Sequence, residues 1–85
     1  MDISKVKSQW REWDKSKLSK TFEFGDFVQA IKFVQKVADI AQQHNHHPDI
    51  DIRYNKVMIT TTTHDDGNTI TSKDIQLIDA IEWGI

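Results

Sequence analysis

The 85-residue chain has no cysteine, one proline and three glycines, and it contains no long apolar run. Without cysteine it can form neither a disulfide framework nor a thiolate metal site, and a cysteine nucleophile is excluded. Residues 1–5 lack the apolar stretch of a signal peptide, and no segment reaches the length of a membrane-spanning helix. We therefore expect a cytoplasmic protein that does not interact with a membrane.

A strong charge of either sign is also missing, because the formal net charge is only -2 at neutral pH. Nucleic-acid-binding domains usually carry a strongly basic patch, so nothing in the composition favours a nucleic-acid partner. The apolar fraction of 38% and the charged fraction of 28% are ordinary for a folded globular protein. We predict that residues 1–85 form a single small domain.

Hydrophobic patterns in the first third of the chain predict a short helix and two strands. The helix would span residues 2–9, and the first strand would include Trp10 and Trp13. A turn over residues 14–17 would lead into a second strand, because side chains of alternating character follow from 18 to 24.

A long helix is predicted from Phe27 to about Gln43. Asp26 is a suitable N-cap residue, and Gln29 lies three positions later, where a capping box needs it. Ten of the fifteen residues from 27 to 41 are apolar and surround most of the helix. Because one apolar stripe is enough to cover a sheet, we expect another side to pack on a second copy of the chain. We place Val37 and Ile40 on that outward side.

Residues 49–60 predict a β-hairpin, because apolar and polar side chains alternate on both sides of a turn at Asn55-Lys56. In this register the numbers of paired residues sum to 111. Extended to the open end of the hairpin, it places His47 opposite His64, on the face that carries Asp49.

A last helix is predicted after Thr71, because Thr71-Ser72-Lys73-Asp74 has the pattern of a second capping box. Ile75, Ile78 and Ile81 then follow at helical spacing and should face the core. The predicted fold class is α+β in (α)ββαββα order, with a four-stranded antiparallel sheet and helices packed on one face.

Histidines are concentrated at the open end of this hairpin, where His44, His46 and His47 precede the first strand and His64 follows the second. Imidazoles titrate near neutral pH, so this cluster predicts a site that moves protons. An alternative is a solvated helix end, where imidazole favours the negative pole of the helix dipole. Neighbouring side chains such as His46 and His47 point apart, which makes a zinc site awkward, and we expect no metal.

Two other groups have both structural and functional interpretations. Residues 60–62, all threonines, are interpreted as ordinary strand residues. Asp74 would begin the last helix close to His64, so it would either complete the capping box or orient that imidazole. No serine lies in the context of a nucleophile elbow, which argues against a Ser-His-Asp site.

Taken together, the motifs resemble those of the pterin-4a-carbinolamine dehydratases from about Trp10 to Ile81. They are Phe22-x-Phe24, Asp26-Phe27, Phe33-Val34, Val37-Ala38, His46-His47-Pro48-Asp49, Tyr54-Asn55-Lys56-Val57, Thr63-His64, Gly67 and Thr71-x-x-Asp74. The sequence departs from the resemblance at Gln42, where many members of that family have glutamate.

The resemblance implies an enzyme that removes water from a 4a-hydroxy-tetrahydropterin to give the quinonoid dihydropterin, in tetrahydropterin recycling. It implies His46, His47 and His64 as catalytic residues and Asp74 as an orienting carboxylate. It also implies pterin contacts from Pro48, Thr63, Asp65 and Asp66. The pterin is the substrate, and no metal or other cofactor is expected.

The resemblance also implies a homodimer or homotetramer, assembled through the helix of residues 27–43 and the sheet edges. An alternative function from another class is a non-enzymatic partner in dimerisation or assembly, resembling a transcriptional coactivator or a chaperone with this fold. Chaperone-like relatives tend to lose the site histidines, and this chain has all three. The enzymatic interpretation is therefore preferred.

Overall fold

The computed structural model describes residues 10–13, 16–64 and 67–84. Its elements, in chain order, are β1 (Arg11–Trp13), β2 (Lys17–Glu23), α1 (Phe27–His44), β3 (Asp49–Arg53), β4 (Lys56–Thr61) and α2 (Ser72–Gly84). The predicted α+β class and the ββαββα order are confirmed. The helix predicted for residues 2–9 lies outside the described residues, as do positions 14 and 15 of the first predicted turn.

The four strands form one antiparallel sheet in the order β1-β2-β4-β3. Buried side chains of β4 alternate with more exposed ones, and together with Leu18 and Phe22 of β2 they face the two helices. Ser19 is also buried, but on the other side of the sheet, where its hydroxyl accepts from the Trp13 indole over 2.7 Å. The core comprises Trp10, Leu18, Phe22, Ala30, Phe33, Val37, Ala41, Val57, Ile59, Ile75, Leu77, Ile78 and Ile81. The prediction that helices cover one face of the sheet is confirmed.

The β3–β4 register differs from the prediction. Ile52 pairs with Val57, so paired residues sum to 109 and the turn is Tyr54-Asn55, one residue earlier than predicted. The side-chain amide of Asn55 donates to the carbonyl of Phe24 over 2.9 Å, and the carbonyl of Asn55 accepts from the amide of Phe24, also over 2.9 Å. These two bonds hold Asn55 in the turn, while Tyr54 adopts a φ of 54°.

The shift moves each residue by two positions on the partner strand, so every side chain stays on its predicted face. It does, however, change the neighbours at the open end of the hairpin. Regular pairing stops at Asp49 and Thr60. The same register, continued beyond that pair, leads from His47 to Thr62 and from His46 to Thr63. The predicted pairing of His47 with His64 is therefore wrong.

Helix α1 begins and ends at residues that satisfy its free backbone groups. The Asp26 carboxylate accepts from the amide of Gln29 over 2.8 Å, and the Gln29 side chain accepts from the amide of Gly25 over 3.2 Å. At the other end Asn45 adopts a left-handed φ of 50°, and its amide donates to the Gln42 carbonyl over 3.2 Å. This sharp turn carries the chain directly from α1 to His46.

One side of α1 packs on the sheet through Ala30, Phe33, Val37 and Ala41. The placement of Val37 on the outward side is wrong, because its side chain is fully buried within the chain's own core. Ile40 is half-buried and also packs against this core, so it is not an outward residue either. The outward apolar stripe consists of Phe27, Ile31, Val34 and Ala38. Phe27 is 46% exposed, whereas Val34 is half-buried and also packs against the core.

Helix α2 begins with the predicted capping box. The amide of Thr71 donates to Asp74 over 2.9 Å, and the amide of Lys73 donates to the Thr71 hydroxyl over 3.3 Å. Its three isoleucines are buried, as predicted. Neither α1 nor α2 is long and apolar enough to cross a membrane.

Candidate functional site

The candidate site lies at the open end of the β3–β4 hairpin, where α1 ends and α2 begins. There Nε2 of His46 lies 2.7 Å from Oδ1 of Asp74. The carboxylate is completely buried, and the His46 side chain is only 11% exposed. Because an ionised carboxylate only accepts hydrogen bonds, Nε2 of His46 is the donor.

Three further donors surround the Asp74 carboxylate. The hydroxyl of Thr61 donates to Oδ1 over 2.6 Å, beside the His46 ring. The hydroxyl of Thr63 and the amide of Thr71 donate to Oδ2 over 2.7 and 2.9 Å. Each oxygen therefore accepts two hydrogen bonds from the residues that the structure describes.

Burial and hydrogen bonding act on the pKa of Asp74 in opposite directions. Burial disfavours the charged form and raises the pKa of this carboxyl. The hydrogen bonds from His46, Thr61, Thr63 and the amide of Thr71 favour the charged form and outweigh burial. The pKa of Asp74 consequently lies below its ordinary value, and the group is a carboxylate at neutral pH.

His47 has a different partner, since its Nε2 lies 2.9 Å from Oε1 of Gln42 in the last turn of α1. With the amide oxygen facing the ring, the imidazole is the donor. Gln42, the position where the sequence departs from the family resemblance, is thus the residue that holds His47. Its partner is a neutral amide, whereas that of His46 is a buried charge.

His64 is held in the short loop after β4, where its Nδ1 lies 2.7 Å from Oδ1 of Asn68. Gly67 and Asn68 both have positive φ values, of 75° and 60°, which turn the loop back toward His64. The residues that hold His47 and His64 both come from local sequence, five and four positions away.

The prediction that Asp74 orients His64 is wrong, because the imidazole bound to Asp74 is that of His46. The reason is the alternation along β4 and its continuation, in which Thr61 and Thr63 face inward to α2. His64 is next in sequence and is exposed. His46 and Thr63 both bind the Asp74 carboxylate, so the ring of His46 occupies the position predicted for His64.

The structure places the other predicted site residues as follows. Pro48 is half-buried and lies directly before β3. Thr63 is buried, and its hydroxyl is bound to Asp74. Asp65 and Asp66 lie outside the described residues. Hydrogen bonds within the described ranges connect each of the three imidazoles to its own partner and not to another imidazole.

Thr61 is a site residue that the sequence analysis missed, since the interpretation of residues 60–62 as ordinary strand residues is wrong for this position. Its side chain is 1% exposed and bound to Asp74. The alternation from Val57 and Ile59 places residue 61 on the buried face. A hydroxyl on the buried face needs a polar partner, and this requirement could have identified Thr61 from the sequence.

Within the ranges that the structure describes, no three histidine, aspartate or glutamate side chains are grouped so that they could hold a metal ion. What the arrangement offers is acid–base chemistry. Each imidazole uses one ring nitrogen to contact a protein acceptor, and no described residue binds the other nitrogen. A ring fixed in this way can give or take a proton at its second nitrogen.

Comparisons with known proteins show which family the chain resembles. Residues 2–83 match the family described as Pterin 4 alpha carbinolamine dehydratase. A "Putative pterin-4-alpha-carbinolamine dehydratase" of Herpetosiphon aurantiacus is 50% identical over 76 residues, which cover 89% of this chain and 77% of the relative. One of the same name from a Picosynechococcus species is 45% identical over 78 residues, covering 89% of this chain and 84% of the relative.

Two solved structures share the fold. The transcriptional coactivator/pterin dehydratase of Brucella melitensis aligns with a TM-score of 0.85 at 26% identity, covering 98% of this chain and 92% of that one. A pterin dehydratase-like protein identified as a RuBisCO assembly factor aligns with a TM-score of 0.74 at 23% identity, covering 93% and 92%, and shows the fold alone. Because the family match covers nearly the whole of this chain, the chain belongs to the pterin-4a-carbinolamine dehydratases.

Proposed function

We propose that the protein dehydrates a 4a-hydroxy-tetrahydropterin to the quinonoid dihydropterin, as a step in tetrahydropterin recycling. Family membership supports a dehydratase. The observation that carries the catalytic part is the His46–Asp74 pair, in which a buried carboxylate binds Nε2 of His46 over 2.7 Å. Nδ1 of that ring has no partner among the described residues, and we propose that it contacts the substrate.

The reaction needs two proton transfers and no change of oxidation state. One proton is given to the hydroxyl that leaves C4a as water, and another is removed from a ring nitrogen of the pterin. His46, His47 and His64 would serve as the acid and the bases, each through the nitrogen that the protein does not bind. A positioned acid or base typically contributes about 10²–10⁴-fold to the rate.

The remaining contacts to the pterin are proposed for Pro48, Thr63, Asp65 and Asp66. Because the hydroxyl of Thr63 is bound to Asp74, we propose that Thr63 acts mainly by shaping this end of the hairpin. Pro48 lies directly after His47, so its fixed backbone limits how the histidine pair can turn.

The test is the dehydration of synthetic 4a-hydroxy-tetrahydropterin, followed by the appearance of the quinonoid product. We expect the purified chain to accelerate this reaction well above the spontaneous rate. A variant in which His46, His47 and His64 are all alanine should be reduced to the spontaneous rate. An unmodified protein that gives no acceleration would refute the proposal.

We also propose that the chain forms a homodimer or homotetramer through α1 and the sheet edges. The outward stripe of α1 leaves Phe27 46% exposed, and the adjacent Val28 is 59% exposed. Residues 27, 31, 34 and 38 follow the four-three-four spacing of a helix that packs on another helix. β3 is a sheet edge, with backbone groups on one side that no described strand pairs.

A role as a protein partner is a second candidate, because the solved Brucella protein is described as a transcriptional coactivator as well as a pterin dehydratase. The same stripe of α1 would then bind a different protein. The two functions are separable, since substitutions in this stripe would affect partner binding while those of the histidines would affect dehydration.

A further inference from the structure

The three threonine hydroxyls near Asp74 have only one consistent arrangement of hydrogens. The single hydroxyl hydrogen of Thr63 points to Asp74, because two lone pairs would otherwise meet over 2.7 Å. Thr71 lies 2.6 Å from the Thr63 hydroxyl and must therefore donate to it. Thr71 in turn accepts from the amide of Lys73 over 3.3 Å. The hydrogen bonds therefore run in one direction, from Lys73 to Thr71, from Thr71 to Thr63 and from Thr63 to Asp74.

Thr61 supplies the remaining hydroxyl, and it binds the same oxygen of Asp74 as His46 does. A valine would occupy almost the same volume in the row of Val57 and Ile59, and it would bring no polar group into the core. A buried hydroxyl is costly unless it is hydrogen-bonded, so its value at this position lies in the bond to Asp74.

We propose that Thr61 is a positioning residue of the candidate site, whose hydroxyl holds Oδ1 of the Asp74 carboxylate directed at Nε2 of His46. This inference rests on the proposed dehydratase function. Thr61 would not touch the pterin, and it would act only through Asp74 and His46. With Oδ1 held between Thr61 and His46, the imidazole is fixed and its Nδ1 is presented to the substrate.

The surroundings of Asp74 make this assignment testable. The imidazole of His46, from the connection between α1 and β3, faces the Asp74 carboxylate. The hydroxyls of Thr61 and Thr63, from β4 and its continuation, also face it. Within α2 and its cap the contact is the amide of Thr71. Among the described residues, His46 is thus the one titratable group bound to Asp74.

The experiment compares Thr61→Val, which removes the hydroxyl at nearly constant volume, with Thr61→Ser, which restores it. Thr61→Ala is a second deletion in case valine disturbs folding. Thr60→Val is the matched control, since Thr60 precedes Thr61 and faces the other side of the sheet. Carboxyl ¹³C NMR would follow the titration of Asp74, and proton NMR would follow the Nε2–H signal of His46. The dehydration assay would give kcat and KM.

In Thr61→Val we expect the pKa of Asp74 to rise by about one to two pH units, because one hydrogen bond to the charged group is lost. The His46 Nε2–H signal should shift or broaden, and kcat should fall about 10-fold with KM nearly unchanged. Thr61→Ser and Thr60→Val should resemble the unmodified protein in all three measurements.

The inference is overturned if Thr61→Val and Thr61→Ala leave the Asp74 titration and the His46 signal unchanged, or if they retain full kcat. An unmodified protein without dehydratase activity would refute the proposed function instead. In that case the two NMR measurements, which need no substrate, decide on Thr61 alone.

Discussion

At the scale of single residues, the site consists of three imidazoles with three different acceptors. His46 is bound to the buried carboxylate of Asp74, whereas His47 and His64 are bound to the amides of Gln42 and Asn68. The local sequence supplies the amide partners, and the carboxylate comes from another part of the chain. The three histidines should accordingly respond differently to changes in their surroundings.

Single substitutions of His46, His47 or His64 by alanine are expected to lower kcat/KM by about 10²–10⁴-fold each, because each removes a proton donor or acceptor. Double substitutions should cost much less than the product of the single effects, since the groups act in one transition state. Steady-state kinetics with the synthetic pterin would measure this.

His44→Ala is the control for these variants, because His44 is an exposed residue at the end of α1. It should retain nearly full activity. Equal losses in His44→Ala and His47→Ala would contradict the proposed site.

The lowered pKa of Asp74 predicts a specific dependence of stability on pH. The carboxylate stabilises the fold above the pKa of an unfolded aspartate, about 3.9, and this contribution is lost as the pH falls through the lower pKa of the folded state. We expect Asp74→Asn to lower the free energy of unfolding by about 3 kcal/mol at neutral pH, because a buried pair is broken. The difference should shrink below about pH 4.

Urea unfolding of both proteins over a series of pH values would measure this difference. Asp39→Asn changes an exposed aspartate of α1 and should reproduce the profile of the unmodified protein. A difference between Asp74→Asn and the unmodified protein that stays constant into strong acid would show that ionisation of Asp74 is not the cause.

Activity is expected to be independent of added or resident metal, because proton transfer between imidazoles and the pterin needs no Lewis acid. Exhaustive chelation should leave kcat unchanged, and elemental analysis should find no stoichiometric zinc, iron or copper. About one bound metal ion per chain, with activity lost on its removal, would replace this mechanism by a histidine-ligated one.

At the scale of elements, most of the fold depends on local signals at the ends of helices and strands. Asp26 and Gln29 begin α1, and Thr71 and Asp74 begin α2, as the capping patterns predict. In each cap one bond is shifted by one residue, since Gln29 accepts from the amide of Gly25 and the Thr71 hydroxyl from the amide of Lys73. Asp74 has two roles in the same geometry, because the oxygen that caps α2 and the oxygen that binds His46 belong to one carboxylate.

In the turn between β3 and β4, the side chain of Asn55 outweighs the alternating pattern from which the turn is predicted. Asn55→Ala should lower the free energy of unfolding by about 1 kcal/mol, because it leaves the half-buried carbonyl of Phe24 without the amide donor. Chemical denaturation would measure this. Lys56→Ala, at the exposed neighbouring position, is the control and should change stability by less than about 0.5 kcal/mol.

At the scale of the whole molecule, the outward stripe of α1 predicts self-association. Exposed apolar patches of this kind usually mark an interface. Ala38→Glu should convert the oligomer to a monomer, because it places a charge in the stripe without removing any buried side chain. Light scattering or sedimentation at micromolar concentration would measure the mass.

Gln43→Glu adds the same charge to an exposed position of α1 that is not part of the stripe, and it should leave the oligomer intact. A mass of 9.9 kDa for the unmodified protein would contradict the proposed assembly. An equal effect of the two substitutions would show that charge alone, and not its position, causes dissociation.

The sequence by itself determined the features that depend on near neighbours. The α+β class, the order of the elements, both helix caps and the inward isoleucines of α2 follow from periodicities of two and 3.6 and from capping patterns. The histidine cluster is also visible in the sequence, because His46 and His47 are adjacent and a single hairpin separates them from His64.

Only the tertiary structure decided which imidazole receives the carboxylate. Asp74 lies 28 residues from His46 and ten from His64, yet it binds His46. The docking of α2 against the inner face of β4 sets this choice. The β3–β4 register contributes as well, since the contact of Asn55 with Phe24 places the turn one residue earlier than the sequence pattern predicts. Such contacts join distant parts of the chain, so a pattern of near neighbours contains no signal for them.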